Sequence, residues 1–494
     1  MMEPISRRQA LLLGALGTGG VVAGALGLAR AGAPGGSGTG PGDDSTPRLA
    51  GGADLVEPEE LSSTGGRLRV ELTMAEAEVD VGGRRARLLT YNGTVPGPTL
   101  RLRPGDTLQV RLVNQLDAPT NLHVHGLHVS PEGNGDNPFL SIEPGEAFDY
   151  EFVLRADHPT GTFWYHPHRH GHVADQIFGG LYGAIVVEDD LPMSRERILI
   201  VSDLSLEADG SVSRPTMQDQ MMGREGSIVL VNGQVRPRVT AAPGERQRWR
   251  VINACTSRHL LLDLADQPVD LLGVDLGRSA SLRAAEGVLL APGNRADLLV
   301  TPRAGRAPWR ALPYDRGGMG MGMGMGMGGA PGPDSADLAI LEVSGATVEP
   351  PPLPAATAPA DLRTVEPARR RLITFTMGMG MGGGMSFGFD DRSFDPARTD
   401  QEIVAGTVEE WTLDNPTPMD HPFHLHVWPM QVVESDGEAV ADPMWRDVVE
   451  VPAGGSRVVR IAFDDFAGRS VYHCHILDHE DAGMMGVVDV RPAR

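Results

Sequence analysis

The chain has 494 residues, 41% of them apolar and 22% charged, with a formal net charge of -22. That length exceeds what one hydrophobic core supports and predicts two to four domains, while the apolar content excludes wholesale disorder. The acidic balance excludes a nucleic-acid partner, which needs a basic face to release counterions, and two cysteines, Cys255 and Cys474, are too few for a disulfide framework.

In chain order, Ser6-Arg7-Arg8-Gln9 leads into a Gly/Ala-rich apolar run that ends at Ala29-Arg30-Ala31. Residues 1–31 therefore resemble a twin-arginine-type signal peptide, which predicts passage through the twin-arginine export machinery to a periplasm or the cell exterior. The alternative is an uncleaved membrane anchor, against which the weak apolarity of the run speaks; no stable membrane insertion is expected after signal removal. A Gly/Pro/Ser-rich linker is expected over 32–66.

From about Leu68 the texture changes to short alternating runs, such as Leu108-Gln109-Val110-Arg111-Leu112, punctuated by Pro104-Gly105, Pro144-Gly145, Pro243-Gly244, Pro292-Gly293 and Pro452-Ala453-Gly454-Gly455. Alternation of period two between glycine turns predicts strands, and many short strands predict β-sandwiches. The reading is all-β with three sandwich domains, 67–190, 191–348 and 368–494, the last two separated by a Pro/Ala-rich linker over 349–367. A Met-Gly-rich loop falls at 317–329 in the second block, and a poorer echo over 377–385 opens the third.

Ten of the fifteen histidines fall in four clusters. On a strand, residues i and i+2 share a face, so His-x-His is a natural chelating pair. Four such pairs occur: His123 and His125, His166 and His168, His424 and His426, His473 and His475. One pair alone reads as buried hydrogen-bonding imidazoles; four at the two ends of the folded region read as metal ligands. His128, His158, His170, His172 and His259 fit no such slot, and Cys255 reads as a small buried hydrophobe.

Cys474 lies between His473 and His475, and on a strand it faces away from both. It therefore serves one centre while its neighbours serve another, a few covalent bonds away. A type 1 copper site takes a thiolate, two imidazoles and a weak axial ligand. Cys474, His421, His479 and Met484 supply that set.

The runs His421-Pro422-Phe423-His424-Leu425-His426 and His473-Cys474-His475 with His479 and Met484, together with Leu122-His123-Val124-His125-Gly126 and Trp164-Tyr165-His166-Pro167-His168, resemble the copper signatures of the multicopper oxidases, the laccase and cuprous oxidase family. The resemblance extends from about Leu68 to Val490 and is looser in the middle, where Trp249-Arg250-Val251-Ile252-Asn253-Ala254-Cys255 looks like a second domain without ligands. It implies three cupredoxin-like Greek-key β-sandwich domains and four copper ions, one type 1, one type 2 and two type 3. His123 and His424 are then the type 2 ligands, and His125, His166, His168, His426, His473 and His475 hold the type 3 pair. The trinuclear cluster is expected between the first and third domains, with the second as spacer and wall.

The implied reaction is one-electron oxidation of a small reducing substrate, Cu(I) or phenols, at the type 1 copper, coupled to four-electron reduction of O2 to water at the cluster. Glu480 matches a family position for proton delivery, and the resemblance assigns Asp136 to another, near the type 2 copper; the alternative for Asp136 is a simple turn former. Met419 and Asp420, just before His421, are candidates for a substrate-copper site. The methionine runs are soft Cu(I) ligands on one reading and low-complexity loops on the other. The competing function is a non-catalytic exported copper-binding or scaffold protein on the same fold, against which the complete ligand set speaks.

Overall fold

The computed structural model describes residues 49–276, 282–285, 287–318, 335–354, 360–379, 385–441 and 444–493. The expected signal, the linker up to residue 48, the methionine run over 319–327 and most of its echo beyond residue 379 lie outside the described residues.

Alternation in sequence becomes alternation in burial. Strand Thr107–Asn114 exposes Arg111 and buries Leu108, Val110 and Leu112, and the fifteen-residue strand Arg67–Val81 buries Leu68, Leu72 and Met74. Each such side chain stabilises the fold by roughly 1.5–3 kcal/mol when withdrawn from water. Among the described residues the strands form six sheets that pair into three sandwiches. Leu72, Leu112 and Phe152 meet Leu100, Phe163 and Ile185 in the first core. Leu199, Val251 and Leu298 meet Leu262, Trp309 and Leu341 in the second. Trp411, Val459 and Ile461 meet Phe423, Tyr472 and Val488 in the third.

A parallel pairing recurs in each sandwich and marks the crossover of its Greek key: Arg67–Val81 with Thr107–Asn114, Arg195–Leu204 with Gln247–Asn253, and Arg369–Met379 with Thr407–Asn415. Helices are short, the α-helical ones being Val173–Phe178, Met217–Met222 and Leu477–Asp481 among the described residues.

Two stretches read as linkers are partly tied to the sandwiches. Glu60–Ser62 pairs in parallel with Thr99–Leu102, and the backbone N–H groups of Ala50, Gly52 and Leu55 donate to the carbonyls of Gly82, Arg236 and Arg238. Leu61 packs on the first core and Leu55 on the second, so this segment ties the two together. In the second linker a 3-10 turn, Leu362–Thr364, is pinned to the third sandwich by Gln431 and Arg460. Composition showed the glycines and prolines of these stretches but not the sheet edge and the Gln431 and Arg460 side chains that capture their backbone.

Candidate metal centre

The four His-x-His pairs enter the site from facing sheet ends. His123 stands opposite His166 in the first sandwich, and His424 stands opposite His473 in the third, with Phe423 opposite Cys474. All eight imidazoles are buried. The Nε2 atoms of His168, His426 and His473 form a triangle with sides of 3.1, 3.1 and 3.2 Å. His123 Nε2 is 3.4 Å from His424 Nε2, and His125 Nδ1 is 3.4 Å from His166 Nε2.

These contacts are not ordinary hydrogen bonds, because several rings have spent their N–H elsewhere. Nδ1 of His166 donates to Pro167 O, Nδ1 of His424 to Asp447 O, and Nδ1 of His473 to Cys474 O. Their Nε2 lone pairs consequently point inward at one another. Burial, reinforced by the neighbouring rings, holds His123, His125, His168, His424, His426 and His475 well below the usual imidazole range, and His166 at about 3. Neutral rings with converging lone pairs repel unless a cation lies among them. The centre of the His168, His426 and His473 triangle is about 2 Å from each nitrogen, the length of an imidazole–metal bond. Both ring nitrogens of His475 are buried and lack a hydrogen-bond partner, a costly condition that a metal at one of them would relieve in part. This donor set fits copper.

On the other side of Cys474, its Sγ is 3.4 Å from His421 Nδ1 and 3.9 Å from His479 Nδ1. His479 Nε2 donates to the carbonyl of Met221, and His421 Nε2 is 3.0 Å from Thr417 Oγ1, so both rings turn Nδ1 toward the sulfur. Burial pushes the Cys474 thiol well up, so it would take a cation at the sulfur to hold it as thiolate. Met484 is fully buried in the same core, and its carbonyl accepts the Cys474 N–H.

Both expected carboxylates reach the imidazoles. Asp136 Oδ1 is 2.8 Å from His123 Nδ1, and burial pushes its carboxyl up to about 8. Glu480 is wholly buried, with Oε2 3.0 Å from His473 Nδ1 and Oε1 3.4 Å from His168 Nε2. Met419 and Asp420 are placed differently. Met419 is buried in the third core, and the Asp420 oxygens accept Tyr314 O–H and Ala453 N–H.

Sequence reasoning did not single out Asp447, Arg295, Thr417 or Met221. Asp447 Oδ1 is 3.1 Å from His125 Nε2, and Arg295 in the second sandwich makes a two-pronged pair with Asp447. No local motif marks either residue, and only the turn Pro292-Gly293 beside Arg295 was visible. The second sandwich is thus more than the expected spacer and wall, since it supplies Arg295 and Met221 to the two centres.

Two models of the multicopper oxidase family match residues 73–192 and 364–494, between them half the chain. A multicopper oxidase (mco) of Staphylococcus haemolyticus is 29% identical over 422 residues, 81% of this chain and 83% of the relative. The solved structure of a Campylobacter jejuni multicopper oxidase, described as a metallo-oxidase, is 30% identical with a TM-score of 0.79, covering 90% of this chain and 96% of that one. The cell division protein FtsP of Edwardsiella tarda is 27% identical over 427 residues, 84% of this chain and 88% of that protein.

Proposed function

The chain belongs to the multicopper oxidase family, and we propose that it couples one-electron oxidation of a small reducing substrate to four-electron reduction of dioxygen to water. In this reading His421, Cys474, His479 and Met484 hold a type 1 copper, His123 and His424 a type 2 copper, and His125, His166, His168, His426, His473 and His475 a type 3 pair. Bound there, copper supplies one-electron redox chemistry at the sulfur and the binding and reduction of dioxygen at the cluster.

The chain's own contribution is spatial. Cys474 joins the centres, because its side chain lies beside His421 and His479 while the His473 ring, one residue back, lies beside His168 and His426. That juxtaposition carries the proposal. Full burial of the eight imidazoles keeps bulk water and bulky reductants out. Glu480 beside His473 and His168, and Asp136 beside His123, are placed to hold and hand over the protons that water formation consumes. Cu(I) is the favoured reductant, supported by a relative described as a metallo-oxidase and by the Met-rich runs; phenols are the second class. A twin-arginine signal delivers the folded chain outside the cytoplasm.

A scaffold role is the second reading, supported by likeness to FtsP. The complete set of buried ligands argues against it. Copper-loaded protein is expected to be blue and to consume oxygen when given Cu(I) or a phenol; loaded protein that is colourless or takes up no oxygen contradicts the oxidase reading.

A further inference from the structure

Asp447 reaches imidazoles of both outer sandwiches. Its Oδ1 is 3.1 Å from His125 Nε2 of the first, and its backbone carbonyl accepts His424 Nδ1–H of the third at 2.7 Å. The carboxylate is held in turn by Arg295 of the second, with Nη1 2.5 Å from Oδ1 and Nη2 2.6 Å from Oδ2. Arg295 is fully buried, donates from Nε to Thr162 O at 3.0 Å, and is backed by Asp275, which accepts its backbone N–H and also bonds Asn294. The approach is tight enough to require glycine nearby: a Cβ on Gly126, whose φ is +85°, would lie 2.6 Å from both Arg295 Nη2 and Asp447 Oδ2.

A wholly buried guanidinium and carboxylate carry a heavy desolvation cost, so such a pair is weak evidence for stability and stronger evidence for a positional task. The task is visible in the ring orientations. His166, His424 and His473 have Nδ1 tied to carbonyls and offer Nε2, whereas His125 has Nε2 on Asp447 and offers Nδ1, 3.4 Å from His166 Nε2. With Asp447 as acceptor, His125 takes the opposite tautomer.

We infer that the Arg295–Asp447 pair is a positioning device for the imidazole cluster: Asp447 fixes the tautomer of His125 and the tilt of His424, and Arg295 fixes Asp447. The middle sandwich thereby governs a centre whose ligands all come from its neighbours. The inference rests on the copper reading above.

The test uses the full chain with Arg295→Lys, which cannot make the two-pronged contact, and Asp447→Asn, of nearly the same shape. Copper ions are titrated against a chelator, the blue band reports the centre at Cys474, and the electron paramagnetic resonance of the non-blue copper reports the cluster. Both variants are expected to keep the blue band, to lose copper affinity at the cluster by about 10- to 100-fold, and to show an altered non-blue signal. Wild-type affinity and an unchanged signal in both variants overturn the inference. So does parallel loss of the blue band with the cluster, which assigns the pair to general folding. Wild-type chain that takes up no copper sinks the copper reading itself, whereas normal filling of wild type and variants alike sinks only this inference.

Discussion

Cys474 shows how much one residue position decides. Its thiol lies beside His421 and His479, while the His473 ring lies 3.1 Å from His168 and 3.2 Å from His426. Cys474→Ser is expected to abolish the blue colour and reduce oxygen uptake to background, yet leave copper bound among the eight imidazoles; absorbance and metal content on one sample check both. Glu480→Gln keeps the carboxamide's shape but cannot release a proton. It is expected to leave the blue band intact and slow steady-state oxygen reduction by about 100-fold, the lower end for a positioned acid or base. These side chains were legible in the sequence because residue type and spacing are local properties: His-x-His and His-Cys-His carry their chemistry within three positions. Asp447, Arg295, Thr417 and Met221 were not. The Asp447–His125 contact spans 322 residues and the Arg295–Asp447 pair 152, and those distances close only in the folded chain.

Secondary-structure elements were the most legible layer, because alternation and Pro-Gly turns are written directly in the side chains. Leu108, Val110 and Leu112 fall on one face as the period-two pattern requires. The turns nevertheless carry more than punctuation. Gly293 has φ +86°, and a Cβ there would stand 2.8 Å from the His475 ring. Gly293→Ala therefore meets both a backbone penalty of about 1 kcal/mol and a collision with a cluster imidazole. Lower thermal stability together with reduced copper at the cluster is the expected result, measured by calorimetry and metal titration; a loss of stability with full copper content shows that the ring simply moves aside. The strand Glu60–Ser62 was hidden in the sequence because its pairing depends on an open sheet edge at Thr99–Leu102 that has no local signature.

For the whole molecule, what matters is how the outer sandwiches are held against each other around the cluster. His128 in the first donates from Nδ1 to Val427 O and lies 2.7 Å from Asp465 Oδ2 in the third, where Arg155 also reaches Asp465 at 3.1 Å. Burial lowers the His128 pKa, but the Asp465 hydrogen bond and charge, with the Val427 carbonyl and Asp464 behind them, outweigh it and leave it raised. Burial likewise raises Asp465, and His128 and Arg155 outweigh that and hold it down. A raised histidine contributes stability that is fully present below its unfolded value near 6.5 and is lost as pH rises through its folded value; the lowered aspartate contributes above about 3.8 and loses its share as pH falls through its folded value. The latch is thus strongest between roughly pH 4 and 6.5. His128→Gln is expected to cost about 1 kcal/mol in that window and less at higher pH, read from denaturant midpoints across pH; a pH-independent difference contradicts the charged latch.

Under the proposed function, the two outer sandwiches enclose a copper cluster wired through Cys474 to a separate copper. Anomalous diffraction at the copper edge from crystals of the loaded chain tests it most directly. Four copper positions are expected, one bounded by His421, Cys474 and His479 and three among His123, His125, His166, His168, His424, His426, His473 and His475. Copper missing from the space between those eight rings, or lying away from the Cys474 sulfur, contradicts the account.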